Sequence, residues 1–294
     1  MTRPPWRGGA IDVALAAALW GTAGTVQELL LPTAAPVAVA AVRCLAAGVI
    51  LLLMAAPRPA ARASLVHTVR TGGRPLLVAT IAMTAFQACY LLGIRTAGVA
   101  VGTLVALGSA PVWAGVLALL LRRRPSRRWV LATVLAVAGL VALVGADPQG
   151  AAAFGVVLAG VAGLGYAAYA TASARLTVLD RAAVIVVVFT SCGLFLLPAL
   201  LSAGVPLDLG GLVGLAWLTV GTTVLPYQLL LRGLKGVDAP TATTLSLLEP
   251  LTATLLAVTL VDERLTPVSV VGVVALAVGV LVAGRSGPRR LAAT

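Results

Sequence analysis

The chain has 294 residues, of which 60% are hydrophobic and 10% charged, with a mean hydropathy of +1.07. A soluble domain of this length has no use for so much apolar surface, so the excess must face lipid. The formal net charge of +12 does not point to nucleic acid, because the arginines sit in short loops between apolar runs and only 4% of residues are aromatic.

Apolar runs predict ten membrane spans, at 11–31, 35–56, 76–97, 100–121, 129–146, 152–174, 182–203, 209–231, 239–261 and 266–284. The first follows Arg3 and Arg7 as a signal peptide would, but it continues to Leu31 and is read as a retained helix. Turns as short as Leu31–Pro36 and Asp262–Thr266 require antiparallel neighbours. His67 reads as a solvated loop residue beside Arg70 and Arg74. Cys44, Cys89 and Cys192 fall inside apolar runs and read as buried free thiols. No CxxC or Cys/His spacing is present, so neither metal nor cofactor is expected.

With both termini on the cytoplasmic side, the inner segments hold 18 of the 21 Lys and Arg residues, and the outer side holds only Arg95 and Arg264. Ten spans thus satisfy the positive-inside rule, whereas nine or eleven would place one basic tail outside. Ten divide into two fives, and because five is odd the second set starts on the opposite side. The turn at Gly145–Gly150 separates 11–146 from 152–284.

One segment is duplicated across that boundary. Ala106–Gly145 and Ser246–Gly284 each contain an apolar run with a proline (Pro111, Pro250), a charged turn and a second apolar run. The first turn is RRRPSRR and the second DERLT, which fits opposite placement in the bilayer. The predicted fold is an all-α integral membrane protein with ten transmembrane helices as two inverted five-helix repeats, the build of many secondary transporters.

The residues that carry a family resemblance are Leu19-Trp20-Gly21, Arg43 within AVRCLAAG, Leu248-Glu249-Pro250, Asp262–Thr266, and Gly272 and Gly279. In order, spacing and duplication they resemble the drug/metabolite transporter superfamily of the type with two EamA domains, over about residues 11–284. The resemblance implies export of amino acids or similar small organic solutes across the inner membrane. The first half departs from the second by having Arg123 in place of Glu263 and Ala110 in place of Glu249, so the work of Glu249 is not done twice.

Ionisable groups within the spans are costly, and they mark function or pairing. Glu28 and Arg43 fall roughly 5 and 12 Å below the outer boundary at a rise of ~1.5 Å per residue, close enough to pair. Arg43 could also bond helix carbonyls or contact substrate. Glu249 lies about ten residues into its span, near the midplane, and precedes a proline that removes a backbone hydrogen bond. Pro111 falls at the mirrored depth, so both prolines are expected to break their helices there. A carboxylate at that depth could carry a proton, grip a substrate amine, or simply bond its neighbouring helices.

Trp20, Gln87, Tyr90, Tyr166, Tyr169, Tyr227, Gln228 and Ser246 supply aromatic faces and polar groups suited to a small neutral or zwitterionic molecule. Trp129 and Trp217 read as interface anchors. Small residues, including Gly155, Gly160, Gly163 and Gly165, suit close helix packing.

These features favour a secondary transporter with alternating access, driven by proton exchange or passive flow, since no nucleotide-binding motif is present. The expected partners are a small-molecule substrate, the lipid bilayer and protons; monomer and homodimer stay open. A non-transporting membrane scaffold is the alternative. A membrane-embedded lipid-modifying enzyme is disfavoured, because one histidine and no acid/base cluster leave no catalytic set. The excess of arginine over lysine and the Ala/Val/Leu/Gly usage suggest a bacterial source, hence the inner membrane.

Overall fold

The computed structural model describes residues 5–97, 99–144, 153–203, 205, 208–260 and 267–285. The Asp262–Thr266 turn and the turn between the halves lie outside them. The described residues are helical throughout, without strands. The order is α1 (Pro5–Trp20), α2 (Ala23–Leu30), α3 (Pro36–Ala55), α4 (Pro59–Thr71), α5 (Gly73–Ala97), α6 (Val99–Leu120) and α7 (Arg127–Val144). Next come α8 (Ala153–Ser173), α9 (Arg181–Ala203), α10 (Leu209–Thr219), a π segment (Val220–Val224), α11 (Leu225–Gly233), α12 (Ala239–Leu245), α13 (Leu248–Leu260) and α14 (Pro267–Gly284).

Among the described residues, nine helical stretches are long and apolar enough to cross a membrane; α7 is not counted with them. Three stretches combine consecutive elements: α1–α2, α10–π–α11 and α12–α13. Leu, Val, Ile and Phe side chains stand exposed along most of the helices, and only lipid makes such a surface favourable.

Local chemistry sets the helix ends. Pro36 opens α3, where its missing N–H costs nothing. Asp180, Asp208 and Asp238 accept hydrogen bonds from the N–H groups of Ala183, Gly211 and Thr241 at 2.9, 3.3 and 3.0 Å, starting α9, α10 and α12. The end of α6 is closed by Arg123 N–H on the Ala118 carbonyl and Arg122 N–H on that of Leu119, with Arg122 in the left-handed region at φ 57°.

Three helix pairs each join a helix before residue 145 to one after 153: α5 with α8, α3 with α9, and α7 with α14. Glycines bring these backbones together. A Cβ on Gly93 would stand 3.0 Å from the Ala159 nitrogen, and one on Gly279 2.8 Å from the Ala132 carbonyl. Gly155, Gly163 and Gly165 pack as the sequence suggests, against α5 and α6. Gly160 does not; it faces open space.

Two expectations change. Residues 59–71 are not a loop: they form α4, which carries the exposed His67. At 13 residues α4 is too short to span, and its basic residues keep it at the surface. Trp129 is no interface anchor either, being buried at 8% exposure with its ring against Gly115. Trp217 is half-exposed and donates its indole N–H to Thr22 Oγ1 at 2.9 Å.

Candidate substrate site

Three of the long stretches are interrupted, and two of the breaks meet. The first break is at Gly21–Thr22, between α1 and α2, where the Thr22 hydroxyl donates to the Leu19 carbonyl at 2.8 Å. The second is at Ser246–Leu247, between α12 and α13. Pro250 cannot donate to the Ser246 carbonyl, which instead accepts the Glu249 N–H at 3.0 Å, tightening the chain by one residue. Glu249 thereby enters the first turn of α13, where a carboxylate is favoured. Gly21 lies directly on it: a Cβ there would stand 2.6 Å from the Glu249 carbonyl oxygen.

The third interruption is the π segment. Pro226 has no N–H for the Thr222 carbonyl, and the helix widens, with Leu225 N–H reaching Val220. The Thr222 and Thr223 hydroxyls both donate to the Leu218 carbonyl, at 2.7 and 2.9 Å. Tyr227 follows immediately. Pro111, by contrast, does not break its helix, because α6 runs through it uninterrupted. The expected mirror symmetry of the two prolines is therefore not observed: the second half bends at its proline and the first does not.

Around these breaks the aromatic side chains form one connected group. Tyr227 sits 5.0 Å from Trp20, 5.7 Å from Tyr169 and 4.5 Å from Phe189, between ring centroids. Tyr166 stands edge-on to Trp20 at 6.1 Å and 5.4 Å from Phe86, which stacks on Tyr90 at 5.6 Å. Tyr166 and Ser246 share a hydrogen bond of 2.7 Å; the Ser246 proton goes to the Ala242 carbonyl, so the tyrosine hydroxyl donates. Tyr90 bonds Thr103 at 3.2 Å.

Arg43 and Glu249 bring a guanidinium and a carboxyl to this group. The two lie within electrostatic reach of each other and of Tyr90, and Glu249 also of Tyr166, without forming an ion pair. Arg43 donates to Gln87 Oε1 at 3.4 Å, and the Gln87 amide donates to Cys44 Sγ at 3.5 Å. The Arg43 Nε and Trp20 Nε1 groups are buried without a hydrogen-bond partner. The expected Glu28–Arg43 pair is not formed: Glu28 is exposed, and the guanidinium turns inward to Gln87 instead. No described contact joins Gln228 to the group; it lies one residue beyond Tyr227, on a different side of α11.

Four participants were not singled out from the sequence. Phe86 and Phe189 complete the aromatic group; Phe86 is four residues before Tyr90, a spacing that could have exposed it. Asp12 and Arg232 form an ion pair between α1 and α11, with Arg232 Nε on Asp12 Oδ2 at 2.7 Å. Asp12, an acidic residue near the start of the first span, was the signal.

The two halves of the broken stretch differ in their surroundings. Every residue of α12 is buried, against α1, α6, α7, α8 and α14. In α13 only Pro250 is buried among the side chains described, and the helix packs chiefly on α1, α2 and α14. One end of the group is sealed, by α12 and the Asp12–Arg232 pair, and the other is loosely covered. Among the described residues no three His, Cys, Asp or Glu side chains gather as a metal site needs.

The EamA-like transporter family model matches residues 7–145 and again 153–285. The chain belongs to the EamA-like transporter family. It is 36% identical over 285 residues to the uncharacterized transporter YwfM of Bacillus subtilis (strain 168), covering 95% of this chain and 94% of that protein. A solved crystal structure, 18% identical, superposes with a TM-score of 0.78 over 94% of this chain and 96% of its own. This EamA-family chain is thus a multi-pass membrane transporter.

Proposed function

We propose that this protein is a secondary transporter that exports amino acids or similar small zwitterionic solutes across a bacterial inner membrane, and that it is not an enzyme. The observation that carries the reading is one aromatic group, flanked by two helix breaks, that holds a cation with an unpartnered N–H, Arg43, and a carboxylate, Glu249. Broken helices around midplane ligands are how secondary transporters present backbone and charge to a solute. Arg43 would take a substrate carboxylate, Glu249 its ammonium, and Trp20, Tyr166 and Tyr227 its side chain.

The proposed topology has ten spans, α7 being the tenth, with both termini cytoplasmic and two inverted five-helix repeats at 11–146 and 152–284. In this orientation the end covered by α12 and the Asp12–Arg232 pair is cytoplasmic and the end covered by α13 is outer. Alternating access then requires the Asp12–Arg232 contact to part for opening on the cytoplasmic side and α13 to move for opening on the outer side. Glu249 is the proposed proton carrier: its proton leaves as a substrate ammonium binds the carboxylate, and the ammonium leaves as a proton returns.

The test is uptake into liposomes carrying the purified protein, with a panel of labelled amino acids and metabolites. Saturable uptake of zwitterionic solutes, outcompeted by unlabelled solute, supports the reading. A panel that enters no faster than into protein-free liposomes contradicts it and favours a scaffold.

A further inference from the structure

At the ends of α5, α8 and α9 that are remote from Glu249 lies a cavity of about 310 Å³ between α4, the start of α5 and the turn after α8. His67, Thr71, Gly72, Gly73 and Arg175 line it, together with Val178. We propose that this cavity holds the phosphate headgroup of an anionic phospholipid. The inference rests on the chain spanning a membrane and is independent of what it carries.

Charge is the first argument. Arg175 lines the cavity, Arg70 and Arg74 stand exposed at the end of α4 and the start of α5 next to it, and none of the three is in an ion pair among the described residues. The neighbouring carboxylate, Asp180, is engaged in capping α9 through the Ala183 N–H. Unpaired guanidinium groups bind phosphate oxygens in forked pairs.

Apolar exposure is the second argument. Val178 is 88% exposed in the turn between α8 and α9, and Val66 and Val69 of α4 are 48% and 59% exposed beside arginines. Val178 lines the cavity itself, where a soluble anion gives it nothing and an acyl chain covers it; Val66 and Val69, on another side of α4, suit the surrounding bilayer. α4 itself is three-sided: Ala61, Ser64, Leu65 and Thr68 turn toward the protein, Val66 and Val69 lie on a second side, and His67 and Thr71 are exposed on a third. The ends of three spanning helices place all of this at the membrane–water boundary, the level of lipid phosphates.

The test is native mass spectrometry of the full-length protein after exchange into equimolar phosphatidylglycerol and phosphatidylcholine. One phosphatidylglycerol should be retained in preference. Arg175→Ala should weaken that preference about fivefold, the effect of one surface cation. Arg70→Ala, Arg74→Ala and Arg175→Ala together should abolish it. Arg128→Ala, on α7, should change nothing, and thermal melting of each variant establishes that it is folded. Equal retention of the two lipids overturns the proposal, as does a preference that survives the triple change in folded protein. Displacement of the lipid by millimolar inorganic phosphate also overturns it, showing a site for free phosphate.

Discussion

At the scale of single residues, the site is a set of side chains that satisfy one another incompletely. Tyr166 holds Ser246 next to the helix break, and Ser246 in turn holds the Ala242 carbonyl. Replacing Tyr166 by Phe removes one buried hydrogen bond and should cost about 1 kcal/mol, read as a lowered melting temperature in detergent. It leaves the ring contacts with Trp20 and Phe86, so solute binding should weaken less than stability; an unchanged melting temperature would show that the bond contributes nothing. Tyr166 and Tyr169, placed on one face by their spacing, do converge, the first on Trp20 and the second on Tyr227. Gln228 does not join them, because consecutive helix positions point about 100° apart. Nor did position along the chain reveal that Arg43 faces Gln87 and not Glu28: depth is legible from residue count, but rotation about the helix axis in a run this uniformly apolar is not.

Elements divide into rigid pairs and broken spans. The glycine-mediated pairs, α3 with α9, α5 with α8 and α7 with α14, have backbones too close to separate without losing packing over several turns. The contact of α1 with α11 is of another kind. Gly9 and Gly233 meet beside the Asp12–Arg232 pair, and a Cβ on Gly233 would stand 2.6 Å from Val13 Cγ2 and 2.7 Å from the Gly9 carbonyl. Gly233→Val should therefore prop this end open. A cysteine at Thr243, which is 1% exposed, reads the change out: its labelling by a water-soluble maleimide should rise severalfold with the valine present, and equal labelling would show that the end does not open there. The Glu-Pro break was legible because the chemistry of proline is local. The continuity of α6 through Pro111 was not, since tertiary packing decides whether a helix bends around a missing bond or runs on. The π segment gave no periodic signal, and α4 was missed because 13 mixed residues look like a loop when only spans are sought.

At the scale of the whole molecule, hydropathy made the multi-pass helical architecture readable, because lipid leaves only helices as a solution for a chain of this composition. The duplication was readable for the same reason, and the family model matches two stretches in turn. The proposed orientation makes a definite prediction. In a variant without native cysteines, a cysteine at Arg124 should be labelled only from the cytoplasmic side and one at Thr33 only from the outside. Labelling of both from one side would contradict the ten-span arrangement.

We propose that Glu249 and Arg43 together bind the solute within the aromatic group and couple it to the proton. Solute uptake into liposomes under an imposed proton gradient, comparing wild type with Glu249→Gln, tests it most directly. The wild type should show gradient-driven uptake, and a Glu249→Gln variant that inserts and melts as the wild type does should lose it by tenfold or more. Gradient-driven uptake that persists unchanged in Glu249→Gln would contradict it.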